Sequence, residues 1–552
     1  MELQLLYETL QLSQLDRQTI EDLWEINNSA DNKTEFCCVL AVLFQQFSNG
    51  SLCLPFNVDN KELQLPQEWY EVFVAGKKLF SDNKFSNVTA TAAAENTAFL
   101  PLVLRTLKNK EQLLYFYRCW KSEYLLRENL KQRLTVCDKA TESDGESAEE
   151  DGLEIMQKKA VRLVPKKNFL IVTGGPGTGK TYTAARMIKK TLRIHPDWKI
   201  ALAAPTGKAA KRLEESLVSD IGQLSGQTLH RLLGITQNSI TPRYNHENPL
   251  PYDLVLVDEI SMIDIHLFSA LLDAVSLDTR LILLGDSNQL PSVDAGAVLA
   301  DLVQDNNVSN EDWLADLNSH VVRLATTRRT ENEVMRNIFK KIKNADISVT
   351  DDFFNSESSS VVNFIKLPEN EKDAFNFLRN YLREYTVETN FATNAEFQNQ
   401  TKILTVNRGG FWGCKNINNI LEENFGHNRE GTPIIITGNL YEQNLFNGDC
   451  GWLQGGKEKK MAVPDKGEIS LRLLDGNYET AFAVTIHKSQ GSEYKNVVII
   501  LPWEENNALL SREILYTGVT RAKEKIVIIG KKSVFESALQ RQIFRYSGLI
   551  KD

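Results

Sequence analysis

The chain has 552 residues and a net charge of −9, with 63 Lys and Arg against 72 Asp and Glu. That length supports several domains with cores of their own, so no disulfide or metal staple is required. The acidity excludes a protein that coats nucleic acid through a general basic excess.

The charge is unevenly placed. Residues 1–152 hold 15 basic and 24 acidic side chains, while the remainder is balanced at 48 of each, which allows nucleic-acid contact within a confined channel. The seven cysteines, Cys37, Cys38, Cys53, Cys119, Cys137, Cys414 and Cys450, form no Cys-x-x-Cys pair. This argues against zinc and fits a reducing compartment. Glu2, Glu8 and Asp16 stand where a secretory leader would be basic, and no apolar run is long enough to span a membrane. A soluble, cytoplasmic protein is expected.

In chain order, residues 35–46, 98–107 and 113–130 carry apolar side chains at mixed helical spacing, which predicts a mainly helical N-terminal domain over 1–134. Residues 138–152 contain seven acids, one lysine and no large apolar side chain, so 135–152 is predicted as an acidic flexible linker. Apolar runs at 168–172, 200–204, 253–257 and 280–284 then alternate with helical segments, the pattern of a parallel sheet covered by helices, over 153–325. A second such series, at 402–406, 482–486, 497–501 and 526–529, predicts another α/β lobe over 326–552. Short strand-like runs at 432–437 and 468–474, with a turn at 447–449, predict a small β insert near 430–480. The polar stretch 350–399 is left unassigned.

The first apolar run feeds Gly174-Gly175-Pro176-Gly177-Thr178-Gly179-Lys180-Thr181. A strand, this loop and a following helix let backbone N–H groups and a helix N-terminus converge on phosphates. Lys180 is placed to neutralise the β- and γ-phosphates of ATP, and Thr181 to hold Mg²⁺. Leu254-Val-Leu-Val-Asp258-Glu259 ends a buried strand in two carboxylates. Asp258 is the candidate for Mg²⁺ and Glu259 for activating water. Gln289, in Gly285-Asp-Ser-Asn-Gln-Leu-Pro291, can sense the γ-phosphate. Charge on the transferring phosphoryl group calls for a positioned guanidinium. Arg521 and Arg329 are the candidates, with Arg328 competing for the second role.

Taken in order, these motifs with Ala204-Pro-Thr-Gly-Lys-Ala-Ala-Lys-Arg-Leu213, Thr228-Leu-His230, Thr485-Ile-His-Lys-Ser-Gln-Gly-Ser-Glu493 and Val519-Thr-Arg521 resemble superfamily-1 helicases. Val293–Leu302, Leu445-Phe-Asn-Gly-Asp449, Leu52-Cys-Leu-Pro55 and Pro101-Leu-Val-Leu104 are similar to the RecD family of exodeoxyribonuclease V (RecBCD) subunits. The resemblance implies two RecA-like motor lobes and an SH3-like insert in the second. It also implies a 5′→3′ motor on single-stranded DNA, acting at duplex ends with RecB-like and RecC-like partners in a heterotrimer engaged with the nucleoid. By resemblance Gln157 reads adenine and Glu493 contacts ribose. Pro205, Thr206, Lys208, His230, Thr485 and His487 face DNA, where hydroxyls, amides and a few cations suit phosphate tracking without base readout. The family's aromatic beside the arginine is missing from 326–330. No carboxylate cluster with a lysine at metal-nuclease spacing is found, so cutting belongs to another subunit. A stand-alone helicase and a non-translocating regulatory ATPase are the alternative readings.

Overall fold

The computed structural model describes the chain apart from residues 1–2, 30, 92–99, 136–147, 223, 237–238, 240, 305–311, 326–331, 355–360, 389–399, 426–429, 456–457, 465 and 552.

The N-terminal region is helical at Gln14–Asn27, Lys33–Ser48 and Gln67–Ser81. It also contains a four-stranded sheet of β1 (Cys53–Pro55), β2 (Thr89–Thr91), β3 (Leu102–Thr106) and β4 (Gln112–Phe116), ordered β1-β4-β3-β2. The helical reading of 98–107 and of the start of 113–130 is therefore corrected, and a helix begins only at Tyr117. Both faces of this sheet are buried. Leu102, Leu104 and Leu114 join the helical core, while Val103, Leu113 and Tyr115 join the core of the next lobe. A strand apolar on both faces loses its period of two, so short runs of it look helical.

Six parallel strands build the first lobe: β5 (Phe169–Gly174), β6 (Ile200–Ala204), β7 (Gly226–Thr228), β8 (Leu254–Val257), β9 (Arg280–Gly285) and β10 (Val321–Leu324), in the order β10-β5-β9-β8-β6-β7. The second lobe starts with β11 (Val362–Lys366) and β12 (Thr401–Thr405). An antiparallel insert follows, made of β13 (Pro433–Ile436), β14 (Cys450–Gln454), β15 (Lys460–Val463), β16 (Gly467–Ser470) and β17 (Tyr478–Thr480). The lobe is completed by β18 (Ala483–Thr485), β19 (Tyr494–Ile500) and β20 (Ala522–Gly530), giving a parallel sheet ordered β11-β20-β19-β12-β18. Within the unassigned stretch, β11 pairs along the edge of this sheet and Glu371–Glu388 is helical. Residues 471–474 form a 3-10 turn where a strand is predicted.

Of the predicted acidic linker, residues 136–147 lie outside the described residues. Residues 148–150 form a 3-10 turn that buries Glu149 and Glu150. Glu150 pairs with Arg162 at 2.7 Å and Lys190 at 3.6 Å, and Glu149 pairs with Arg193 at 3.0 Å. Composition missed this because the partners lie in helices flanking the phosphate loop.

After the last helix the chain runs back across the molecule. Arg545 donates to the carbonyls of Ser292, Asp294 and Gly296, and Leu52 N–H donates to Tyr546 O at 2.8 Å. Arg105 donates to Gly548 O and Lys551 O, Gly548 N–H donates to Glu123, and Leu549 is fully buried. The C-terminal segment thus ties the N-terminal domain to the first lobe.

Asp301 is buried beside this junction, and burial pushes its carboxyl up to about 7. Ser547 and Lys551 oppose the rise and Glu123 adds to it. An unfolded aspartate titrates near ~3.9, so the folded state binds this proton more tightly and stability falls as pH rises from about 4 to about 7. Asp301→Asn is neutral throughout. It is expected to melt above the parent at pH 8, with the gap, at about 1.4 kcal/mol per pK unit, closing toward pH ~4. A gap independent of pH would show that Asp301 is not the titrating group.

Candidate active site

The parallel order of the first lobe brings the ends of β5, β9 and β8 side by side, so three loops meet at one edge. β5 leads into the phosphate loop, whose Gly177 and Gly179 have φ of +75° and +79°, a region closed to most side chains. Thr178 Oγ1 donates to Gly175 O at 2.9 Å, and Lys180 Nζ donates to Gly174 O at 2.6 Å and Gly175 O at 3.3 Å. The helix Lys180–Ile194 starts here, held by apolar Ala184, Ala185, Met187 and Ile188 against the sheet.

A cavity of about 250 Å³ opens beside the loop. It is lined by Lys180, Thr181, Asp258, Glu259, Gln289, Glu493 and Arg521, among others. Burial first, and then the neighbouring Glu259, raises the Asp258 carboxyl to about 6, while Lys180 opposes the rise. The Thr181 hydroxyl and the Asp258 carboxyl line this cavity together, an oxygen donor set that a divalent cation fits. Asp258 Oδ1 accepts from Glu259 N–H at 2.7 Å, and Glu259 sits at φ +54°, an uncommon conformation for a side-chain-bearing residue.

The second lobe closes the cavity through Arg512–Val519, a helix capped by Ser511, and the Thr520-Arg521 turn behind it. Arg521 is buried and donates to Gln289 Oε1 at 2.8 Å, Thr517 O at 3.0 Å and Ser492 O at 3.2 Å. Gln289 Nε2 donates in turn to Asp286 at 3.2 Å. Leu290 N–H donates to Thr517 Oγ1, and Gln490 donates to Leu290 O. Tyr516 lies within the field of Asp286, and its hydroxyl would lie 2.9 Å from a Cβ placed on Gly175, so a larger residue there would have to displace it. Burial and the Asp286 charge hold the Tyr516 phenol un-ionised.

Gln157 is buried behind the loop, donating to Thr178 O at 3.0 Å and accepting from Glu154 N–H at 3.1 Å. It borders a separate cavity of about 560 Å³ lined by Ile155, Met156, Leu324 and Ala325, apolar enough for a base. Pro176 also lines the 250 Å³ cavity. Arg328, Arg329 and the rest of 326–330 lie outside the described residues.

The six residues expected to face DNA are not gathered in one cavity. Thr206 caps the helix Gly207–Ile221, beside Pro205. Lys208 turns toward the Tyr494 ring, 5.9 Å away, and its ammonium, opposed by burial, is held up by Tyr494, Cys450 and Asp449. His230 is exposed. Thr485 lines a 400 Å³ cavity with Arg408, Lys415, Asn418, Tyr478 and Lys488. His487 lines one of about 1040 Å³ with Val293, Phe544 and Arg545, and burial followed by the Arg545 charge lowers its pKa. Sequence reasoning missed Tyr516, Thr517, Gln490 and Arg212. All lie inside or beside quoted motifs, but their chemistry comes from partners in the opposite lobe.

Residues 157–295 match the family model of the AAA domain, and residues 480–529 that of the UvrD-like helicase C-terminal domain. The chain is 33% identical to the RecBCD enzyme subunit RecD of Haemophilus influenzae, over 79% of this chain and 80% of that one. It is 30% identical to the same subunit of Mycolicibacterium smegmatis, over 98% and 97%. The ATP-dependent RecD2 DNA helicase of Deinococcus radiodurans is 29% identical over 71% of this chain and 51% of its own. Among solved structures, Pif1 helicase from Bacteroides in complex with ADP-AlF3 and ssDNA aligns with a TM-score of 0.42 at 17% identity, covering 68% of this chain and 92% of that one. With motifs, lobes and relatives in agreement over its length, the chain belongs to the RecD family of superfamily-1 helicases.

Proposed function

We propose that the chain is the ATP-driven 5′→3′ DNA motor of a RecBCD-type helicase-nuclease, cytoplasmic, working at duplex ends beside RecB-like and RecC-like subunits. The observation that carries this reading is the buried run Asp286–Gln289–Arg521, which joins the two lobes beside the phosphate loop. A ligand that draws Gln289 and Arg521 onto its terminal phosphate changes the lobe interface directly, which is what a translocating motor requires.

In this reading Lys180 and the loop amides hold the β- and γ-phosphates, and Gln157 with the adjoining apolar cavity takes the adenine. Glu493 bonds the ribose, and Glu259 accepts the proton of the attacking water. Arg521 meets the charge on the transferring group, with Arg329 or Arg328 as the second guanidinium. Thr181 and Asp258 would hold Mg²⁺, which supplies charge neutralisation between the phosphates. Pro205, Thr206, Lys208 and His230 on the first lobe, and Thr485 and His487 on the second, would track the DNA backbone, Lys208 after leaving Tyr494.

Hydrolysis by the full chain is expected to rise at least tenfold with single-stranded DNA. A 5′-tailed duplex should be unwound in preference to a 3′-tailed one. The affinity for single-stranded DNA should fall with salt at a logarithmic slope of about −0.7 per phosphate neutralised. Hydrolysis indifferent to DNA would point instead to a regulatory ATPase. Processive unwinding by the purified chain alone would point to a stand-alone helicase.

A further inference from the structure

Arg212 has no role in the reading above. It lies in the helix Gly207–Ile221, whose N-terminus carries Thr206, and its side chain lines the 250 Å³ cavity with Lys180, Asp258, Glu259 and Arg521. It is the cavity's guanidinium from the first lobe, whereas Arg521 enters from the second. Across the cleft it pairs with Glu493, and it donates to Gly491 O at 3.4 Å. Asp258 and Glu259 attract its charge, while Arg521 repels it.

Two features make the Arg212–Glu493 pair exchangeable. The Arg212 side chain is 45% exposed against 10% for Glu493, so solvent reaches and screens the pair from the arginine side. Glu493 also holds Lys523 at 3.3 Å through its other oxygen, so its charge keeps a partner if Arg212 leaves. A polyphosphate offers a guanidinium more charge and a geometry suited to two parallel hydrogen bonds. We propose that Arg212 is a nucleotide-contacting residue: it binds the triphosphate from the first lobe and exchanges its bond to Glu493 for one to phosphate oxygen. One helix then carries a phosphate contact at Arg212 and the Thr206 end expected to face DNA.

This inference rests on the reading of the cavity as the triphosphate site. Its test compares Arg212→Ala and Arg212→Lys in the full chain, by the KM for ATP and by the inhibition constant of adenosine, which has the base and ribose but no phosphate. The alanine variant should raise the KM at least tenfold and the lysine variant by less, because lysine keeps the charge but not the second hydrogen bond, with adenosine inhibition unchanged within twofold in both. An alanine variant with the parent's KM overturns the proposal. So does one that loses ATP and adenosine in equal measure, because that pattern is a collapsed cleft. Lys180→Gln run alongside separates the two failures. If it still hydrolyses ATP, the cavity is not the phosphate site; if it is inactive while Arg212→Ala matches the parent, only the role of Arg212 falls.

Discussion

Lys180→Gln is expected to remove ATP hydrolysis, by several orders of magnitude in kcat, while the protein melts as the parent does. The lysine is partly exposed at the cavity and, among the described residues, its ammonium bonds the carbonyls of Gly174 and Gly175. Glutamine can still donate to one of them, so the loop keeps a partner and the fold loses little. What is lost is the positive charge facing Asp258 and the phosphates. Phosphoryl transfer depends almost wholly on positioning and charge stabilisation, so a neutral side chain here cannot substitute. Steady-state hydrolysis with saturating single-stranded DNA checks the result, and turnover within tenfold of the parent would remove the phosphate-loop assignment.

Arg521→Ala is the second large effect, expected at roughly 10³-fold or more in kcat with a smaller change in KM, as for other guanidiniums that act on the transferring phosphate. Here geometry adds a structural cost. Arg521 is 2% exposed and donates to Gln289 Oε1, Thr517 O and Ser492 O; Thr517 O keeps the Thr520 hydroxyl, so truncation leaves Gln289 Oε1 and Ser492 O without this donor, at about 1–3 kcal/mol each. Arg521→Lys separates the two contributions. It keeps a cation but loses the planar fork that reaches three acceptors, so it should remain folded by melting and still be slow. A lysine variant with the parent's kcat would show that Arg521 holds the lobes together without serving the reaction.

The two lobes were legible in the sequence because their strands are buried on both faces and read as apolar runs ending in chemistry. β5, β8 and β9 deliver Lys180, Asp258 and Gln289 to one edge, as their strand-end positions require. β7, β10 and β11 were not foreseen. Gly226–Thr228 is short and polar, and Val362–Lys366 is an edge strand in a polar context, so neither carries a periodic signal. The N-terminal sheet was misread for the opposite reason, being apolar on both faces.

By itself the sequence determined which groups could handle a nucleotide: a glycine loop that permits positive φ, a lysine, paired carboxylates and arginines at motif spacing. Tertiary structure decided which of them meet. Arg521 and Gln289 are 232 positions apart, and Arg212 and Glu493 belong to different lobes. Their pairing depends on the docking of one sheet's edge against another, and local spacing holds no record of that contact. The same holds for the return of residues 545–551 to the N-terminal domain, where polar side chains that look exposed in sequence are buried together. Periodicity reports whether a side chain faces inward; the partner it finds there is set by the closing of the chain.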